Sequence, residues 1–413
     1  MAQLNITLNQ DEILQLLSND RDAAFAQLLQ KSLNGILLAE STAQLKAEPY
    51  ERTDERTGSR NGFRERPLTT RVGTIILNVP KHRDGEPFKT FVFDNYCRSE
   101  AALIVTMAEM VVNGVSTRKV SQVMETLCGK RYSKSTVSEA CKSLDDAVKE
   151  FRERPLSDEY PFLTVDATYF KVRENSRVIS KAFMVALATN SKGQREIIGF
   201  GIYRNESKDT WNEFLHSLKK RGLTGVQMIT SDAHEGITYA ICKQFPDAAW
   251  QRCQFHFIHN IVSKVSNKYQ AGLASELHEM FNCNSLDECI KRKNSIIDEY
   301  SDIAESAMQC LDEGFASSMT VMILPKGLRK YFRTSNQIER INKELKRRSK
   351  VIGVFPNEDS TMRLMGSVLI EYNDIITVRK RIFSEETYKE LMKSDVPEKL
   401  KKQASEQGHL LAA

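Results

Sequence analysis

The sequence predicts an α/β fold, in which a mixed sheet carries a large all-helical insertion and is preceded by mainly helical segments. Three observations carry that expectation. Residues 160–260 hold three consecutive β-like runs, FLTVDATYFKV, KAFMVALATN and REIIGFGIYRN, joined by the turn-prone RENSR and SKGQ. Helix and strand patterns then alternate, so the order reads β-β-β-α-β-α-β-α, which builds a sheet with both antiparallel and parallel neighbours. Residues 260–330 follow with dense charge and no convincing strand pattern, as expected of a helical block.

Taken in order, residues 10–47 read as helix. Asn9 or Asp11 is placed to cap it, and Ile13, Leu16, Leu17, Leu28, Leu29 and Leu33 supply apolar positions. Residues 48–66 are polar, arginine-rich and contain Gly58 and Gly62, which reads as an extended arm. Strand signals in TRVGTIILNVP and FKTFVF, separated by KHRDGEP, predict a small hairpin within 69–93. Three helices are expected over Glu100–Val112, Ser116–Leu127 and Ser135–Phe151, with Gly114 and the Cys128–Lys130 turn between them and Ser116 and Ser135 as N-caps. Capped helices around a glycine turn predict a helix-turn-helix, although a trihelical packing unit without DNA contact has the same pattern.

Beyond the third strand, a helix is expected over Asp209–Arg221, then the strand GVQMITSD, the helix GITYAICKQF, and the run AWQRCQFHF leading into a further helix. This order is the one seen in ribonuclease-H-like nucleases. Residues 335–350 and 360–398 read as helical. The resulting scheme has an N-terminal helical region and arm (1–66), a β-hairpin region (67–98) and a helix-turn-helix domain (99–154). A ribonuclease-H-like catalytic domain (155–375, insertion about 260–330) and a C-terminal helical tail (376–413) complete it.

Composition narrows the function classes. In 413 residues, 41% are hydrophobic and 27% charged, which is ordinary for a folded chain. Apolar stretches such as Met107–Val112 are interrupted well short of the ~20 residues a membrane span needs. Met1–Gln10 has no basic-then-apolar pattern, so a cytoplasmic protein is expected. Eight cysteines occur as singletons without a CxxC pair, which argues against a disulfide framework or a zinc ribbon. The net charge of +5 decides little, but its distribution is uneven. Arg52, Arg56, Arg60, Arg64, Arg66 and Arg71 form one cluster and Lys343, Lys346, Arg347, Arg348 and Lys350 another. Such local density suits a phosphate backbone, and it also suits a solvated helix face.

The candidate chemistry lies in three acids. Asp166 stands inside an apolar strand, where an unpaired carboxylate is costly, and Asp232 at the tip of another. Singly, each reads as an ordinary strand-end or turn residue. Together they can converge if their strands are neighbours, and converging carboxylates repel unless they share divalent cations. Two such ions, ~3.5–4 Å apart, would clamp the attacking and leaving oxygens of an in-line phosphoryl displacement. In the helix after residue 335, Ile338, Ile341 and Leu345 form an apolar stripe, and Glu339 aligns with Lys343, Lys346 and Lys350. On geometry alone Glu339 reads as the surface partner of Lys343; Glu344, ~140° round the helix, and Glu358 are weaker candidates for a third ligand. Cys253 and His256 form a lone Cys-x-x-His, without the second pair that tetrahedral zinc requires. Trp211, one of two tryptophans, reads as a helix core anchor, with base stacking as the sharper alternative.

Several segments resemble the Mutator-like bacterial insertion-sequence transposases of the Asp-Asp-Glu type. They include YERTDERTGSRNGFRERPLTTRVGTIILNVPKHRDG, GVSTRKVSQVMETLCG, VDATYFKVRE, ESKDTWNEFLHSLKKRGL, SDAHEGI, RCQFH and TSNQIERINKELKRRSKVIGVFPNEDS, spread over about residues 48–375. By position the resemblance implies Asp166, Asp232 and Glu339 as the metal-binding catalytic triad, with two Mg²⁺ ions for which Mn²⁺ can substitute. It implies Cys253 and His256 as supporting residues, and the helical block as an insertion. Over a hundred positions between Asp232 and Glu339 agree with that. It also implies cleavage and strand transfer on double-stranded DNA at terminal inverted repeats, by a homodimer. The rival readings are a regulator derived from such an enzyme, which would be expected to have lost an acid, and a nuclease without joining activity.

Overall fold

The computed structural model describes residues 21–51, 56–70, 73–84, 86–90, 101–128 and 131–412, which divide into two compact units at Ser143/Leu144. In the first unit, α1 (Arg21–Leu45) packs on a hairpin of β1 (Ser59–Thr70) and β2 (Gly73–Arg83). The strand period of two sends Ile75, Leu77 and Val79 inward against Leu37 and Leu68, while Thr74, Ile76 and Asn78 face out. The hairpin differs from the one expected. Its first strand is the arginine-rich segment read as an arm, paired Arg64 to Val79 and Arg66 to Leu77, and TRVGTIILNVP contains the reversal instead of forming one strand. Phe88–Thr90 is not strand; the rest of FKTFVF, and the expected caps and first apolar positions of the N-terminal helix, lie outside the described residues.

The same unit contains α2 (Ala101–Val112), α3 (Thr117–Cys128) and α4 (Lys134–Cys141), which share a core of Leu103, Met107, Val120, Met124 and Val137. Gly114 takes a positive φ of 84° between α2 and α3. The third helix starts one residue earlier than expected, because Ser133 is its cap, accepting from the Thr136 N–H. It is also broken: α4 stops at Cys141, a 3₁₀ turn covers Lys142–Leu144, and α5 (Asp145–Glu153) belongs to the second unit. A bidentate bond from Arg363 to Asp145, at 2.6 and 2.7 Å, accounts for that allegiance.

In the second unit β3 (Phe162–Glu174), β4 (Arg177–Thr189) and β5 (Arg195–Tyr203) are antiparallel, with Asn175 and Ser176 both at positive φ in the two-residue β3–β4 turn. After α6 (Lys208–Lys220) come β6 (Met228–Ser231), α7 (Glu235–Gln244) and β7 (Ala249–Arg252). β6 runs parallel to β3 and β7 parallel to β6, so the mixed sheet has the order β5-β4-β3-β6-β7. One face is sealed by α6 and α7: Val165, Met184, Ala186 and Ile198 pack with Trp211, Phe214, Ile237 and Ile241. Only the AWQR part of AWQRCQFHF is strand, and the remainder opens α8 (Gln254–Val262).

The helical block holds α8, α9 (Asn267–Phe281), α10 (Leu286–Tyr300), α11 (Glu305–Ser318) and α12 (Lys326–Phe332), the first four gathered around Phe257, Leu273, Leu277, Met280 and Leu311. The other face of the sheet receives α13 (Asn336–Ser349) and α14 (Glu358–Thr377). The stretch over 360–398, expected to be helical, comprises α14, α15 (Glu385–Lys393) and the start of α16 (Val396–Ala412). Its first break docks on the β4–β5 turn, where Ile382 N–H donates to Gly193 O at 2.8 Å. A Cβ on Gly193 would lie 2.1 Å from the Phe383 carbonyl oxygen, so no side chain fits there. From α16, the buried Gln407 amide bonds both the N–H and the C=O of Trp250 on β7, each at 2.8 Å. No helix among the described residues is long and apolar enough to cross a membrane.

Candidate active site

Asp166 sits midway along β3, and on that strand it faces α13, opposite to the face sealed by α6 and α7. Parallel pairing of β3 with β6 runs to Thr164 and Thr230; two residues further on the same register brings Asp166 beside Asp232, just past the end of β6. The sequence folds this way because MITS is a short apolar strand whose continuation is taken by a helix cap. His234 caps α7 by accepting from Gly236 N–H, and Asp232 Oδ1 accepts from His234 N–H at 3.3 Å. Gly236 is needed there: a Cβ would come within 2.7 Å of the Glu206 carbonyl oxygen.

Pairing of β7 with β6 carries the next residue, Cys253, alongside, its N–H donating to Ser231 O at 2.7 Å. Cys253 caps α8 and is fully buried, and His256 lies one turn on. From the opposite side α13 presents Ser335, Glu339 and Asn342, spaced for one helical face. Ser335 Oγ bonds Glu339 Oε1 at 3.0 Å and Cys253 Sγ at 3.1 Å. Asn342 Nδ2 donates to Asp166 Oδ2 at 2.8 Å, and the other amide atom, Oδ1, is buried without a partner. His256 Nε2 stands 3.7 Å from Glu339 Oε1. Glu339 therefore turns inward to His256, in place of the surface pair with Lys343 that its helical position permits.

The electrostatics follow from this crowding. Burial, and then the negative charge of Asp232, push the Asp166 carboxyl up to about 7. Burial and Asp232 likewise hold Glu206 above the usual carboxylate range. The neighbouring Cys253 sulfur, opposed by burial and joined by the charges of Asp166 and Glu339, raises the His256 imidazole to about 9. Burial works against a Cys253 thiolate, yet contacts with His256 and Ser335 keep the thiol below its ordinary value. One ligand atom each of Cys253, His256 and Glu339 lie within 4.8 Å of one another, a spacing compatible with a metal ion.

The remaining sequence candidates fall elsewhere. Trp211 is completely buried against Phe214, so it is unavailable for stacking on a base. Lys343, Lys346 and Lys350 are exposed, and Ile338, Ile341 and Leu345 are buried. Arg348, expected on the basic surface, is buried and paired with Glu344 at 2.7 Å and Glu371 at 3.7 Å; Arg347 is exposed and also bonded to Glu344. Those two arginines hold the Glu344 carboxyl down at about 2 and make it a structural acid. Arg56 donates to Gly58 O and Glu51 O, and Arg60 to Thr42 Oγ1 and Ala47 O, so both bind their own chain. Arg64 is exposed on β1, and Arg52 lies outside the described residues. Ser335, Asn342 and Glu206 were not singled out from sequence. The 335/339/342 spacing was legible, but the apolar stripe and basic column of the same helix obscured it.

A family model described as "Transposase, Mutator family" matches residues 1–377. The chain is 40% identical over 388 residues to the transposase for insertion sequence element IS256 in transposon Tn4001 of Staphylococcus aureus, covering 92% of this chain and 99% of that protein. It is 37% identical over 348 residues to the transposase for ISRM5 of Rhizobium meliloti, covering 84% and 87%. With the transposase for IS1081 of Mycobacterium tuberculosis it shares 36% over 348 residues, or 84% of each chain.

Proposed function

The chain belongs to the Mutator family of transposases, and from that premise we propose that Asp166, Asp232 and Glu339 are its catalytic carboxylates. An insertion-sequence transposase is an enzyme acting on DNA, and the family points to a divalent metal requirement. The reading proposed is cleavage at the terminal inverted repeats followed by transfer of the freed 3′-hydroxyl to a target strand, by a homodimer on double-stranded DNA in the cytoplasm. A ribonuclease-H-like assignment for the second unit's sheet, and a helix-turn-helix reading of α2–α4, belong to the same proposal.

The observation that carries it is the Asp166–Asp232 pair. Two acids side by side, one within β3 and one just past the end of the adjacent β6, with the first displaced to about 7, form a site that either a shared proton or a cation must stabilise. Carboxylate oxygens suit Mg²⁺ or Mn²⁺, so the residues fit the pair of ions the resemblance implies. Asp166 and Asp232 would hold one ion between them and Glu339 would complete the second. When bound, such ions polarise the scissile phosphate and lower the pKa of the attacking oxygen.

The chain's own residues do the rest. Asn342 fixes the rotamer of Asp166 by bonding one of its carboxylate oxygens. Ser335 fixes Glu339 in the same way and ties it to Cys253, the cap of α8. His256, protonated at neutral pH, places a positive charge beside Glu339 and Asp166, where a phosphate oxygen would also accept it. Arg64 of β1 and the exposed Lys343 and Lys346 would meet DNA backbone. A strand-transfer assay with end-labelled terminal repeats tests the proposal. Alanine at Asp166, Asp232 or Glu339 should cut cleavage and joining by about a thousandfold or more, the equivalent of ~4 kcal/mol, with DNA affinity nearly intact. Near-normal joining by Glu339→Ala would remove it from the triad.

A further inference from the structure

On the same face of the sheet as Asp166, but across α13 from it, a second concavity of about 260 Å³ opens between the β4–β5 end of the sheet, the α12–α13 connection and the C-terminal end of α14. Arg195, Lys330, Arg340 and Arg379 line it together with Tyr331 and Tyr372, and no acidic residue is among the lining. This is unusual in a chain whose acids and bases are nearly balanced, 54 against 59. Elsewhere in the unit several partly buried or buried arginines have partners: Arg154, Arg363 and Arg348 pair with Glu196, Asp145 and Glu344, Arg221 and Arg329 donate to backbone carbonyls, and Arg252 lies over the Phe257 ring. Among the described residues, Arg195, Arg340 and Arg379 have no ion pair and no side-chain hydrogen bond. Arg195 is only half-exposed at the start of β5, and the charges of Arg379 and Arg340 add to its burial in working against its protonated form.

Like charges gathered without a counter-ion work against the compact state, and an anion seated among them would relieve that repulsion. Arginine forks match tetrahedral oxyanions in geometry as well as charge, and two phenol hydroxyls supply further donors. We propose that this pocket seats a phosphate group of the DNA backbone, on the far side of α13 from the carboxylates. The proposal rests on the reading of DNA as the substrate. Arg340 directly follows Glu339 on α13, so one helix serves both places. A strand lying across α13 would be gripped at the pocket while its reacting phosphate stands at the acids. The pocket reads no base, because its donors address only phosphate oxygens. Its grip would fix where along the strand the acids fall, which is the positional requirement of a cut at an element end.

The test uses the full chain with exposed Arg340 and Arg379 both changed to Gln. Three measurements are made: thermal unfolding without ligand, unfolding with added inorganic phosphate, and binding of duplex DNA of arbitrary sequence against salt concentration in chelator. Relief of repulsion should leave the free variant as stable as the native chain or more so. Its salt slope should fall in magnitude by up to ~0.9, for the one phosphate no longer neutralised. A control with Lys389→Gln and Lys402→Gln, exposed on α15 and α16, should keep the native slope. An unchanged slope in the Arg340/Arg379 variant overturns the proposal. So does an unchanged slope combined with phosphate that stabilises the native chain alone, which would make the pocket a site for free phosphate. A lower melting temperature in the free variant would mean that the arginines serve packing, and would overturn it as well. Because binding is read in chelator, failure of the catalytic triad in the strand-transfer assay leaves this result standing, and the converse holds too.

Discussion

At Asp166 a half-buried carboxyl group shares its site with a second acid, and its protonation midpoint moves from 3.8 to about 7. The sign of the consequence follows from linkage. Between those two values the folded chain keeps a proton that the unfolded chain has released, so stability falls as pH rises through the window and stays low above it. Asp166→Asn, which can still accept the Asn342 bond, escapes this loss. In chelator at pH 8 it should melt above the native chain, the gap closing towards pH 4, and Mg²⁺ should narrow the gap by stabilising the native chain alone. If the asparagine variant melts lower at pH 8, the carboxylate is not under repulsion. Glu344 has the opposite sign. Its carboxyl is depressed to about 2, so its stabilisation is present above 4.5 and lost as pH falls towards 2. Glu344→Ala strips the buried Arg348 of its nearest partner. It should cost about 2 kcal/mol, below the ~3–5 of a fully buried pair, without a matching loss of strand transfer by the protein that remains folded. Denaturant unfolding and the joining assay separate the two effects.

Among the elements, α13 carries an apolar anchor on one side and, overlapping on the other, an acidic corner and a basic column. Ile338, Ile341 and Leu345 anchor it, Ser335, Glu339 and Asn342 line the acidic corner, and Lys343, Lys346 and Lys350 face outward. Neutralising Lys343 and Lys346 together should weaken DNA binding about equally for any sequence and reduce the salt slope by up to ~0.9 for each phosphate left unneutralised. An unchanged slope would place these lysines off the DNA. The apolar stripe was legible in the sequence because burial follows the 3.6-residue period. The inward turn of Glu339 was not, because it depends on His256 and Ser335, and the approach of α8 to α13 leaves no local pattern. Strand order shows the same division. The three antiparallel runs were legible from alternation and turn residues, whereas the pairing of SRNGFRERPL with β2 was hidden by arginines on a strand that buries little. Trp211 was legible as a core anchor from its helical position, and Arg348 was misread as surface because its partner Glu371 comes from another helix.

At the scale of the molecule, the division at Ser143/Leu144 falls some ten residues before the boundary that the sequence pattern suggests. Residues 1–143 expressed alone should fold and bind terminal-repeat DNA in preference to scrambled DNA, the hypothesis resting on α2–α4 and the exposed Arg64. Equal affinity for both in a gel shift would refute it. A fragment ending near residue 153 carries α5 away from Arg363 and should leave the complementary piece destabilised by the loss of that bidentate bond. The bond between Gln407 and Trp250 bears on the birth of the protein as well as its mature form. The two residues are 157 positions apart, and β7 is the outermost strand of the sheet. At ~5–20 residues per second the ribosome needs roughly 8–30 s to travel that distance. For that time the Trp250 N–H waits for its partner, although Thr320 and Val321, only 70 positions on, already reach the flank of β7. A message broken anywhere in that interval yields a product whose hazard is aggregation, and whose disposal falls to chaperones and proteases.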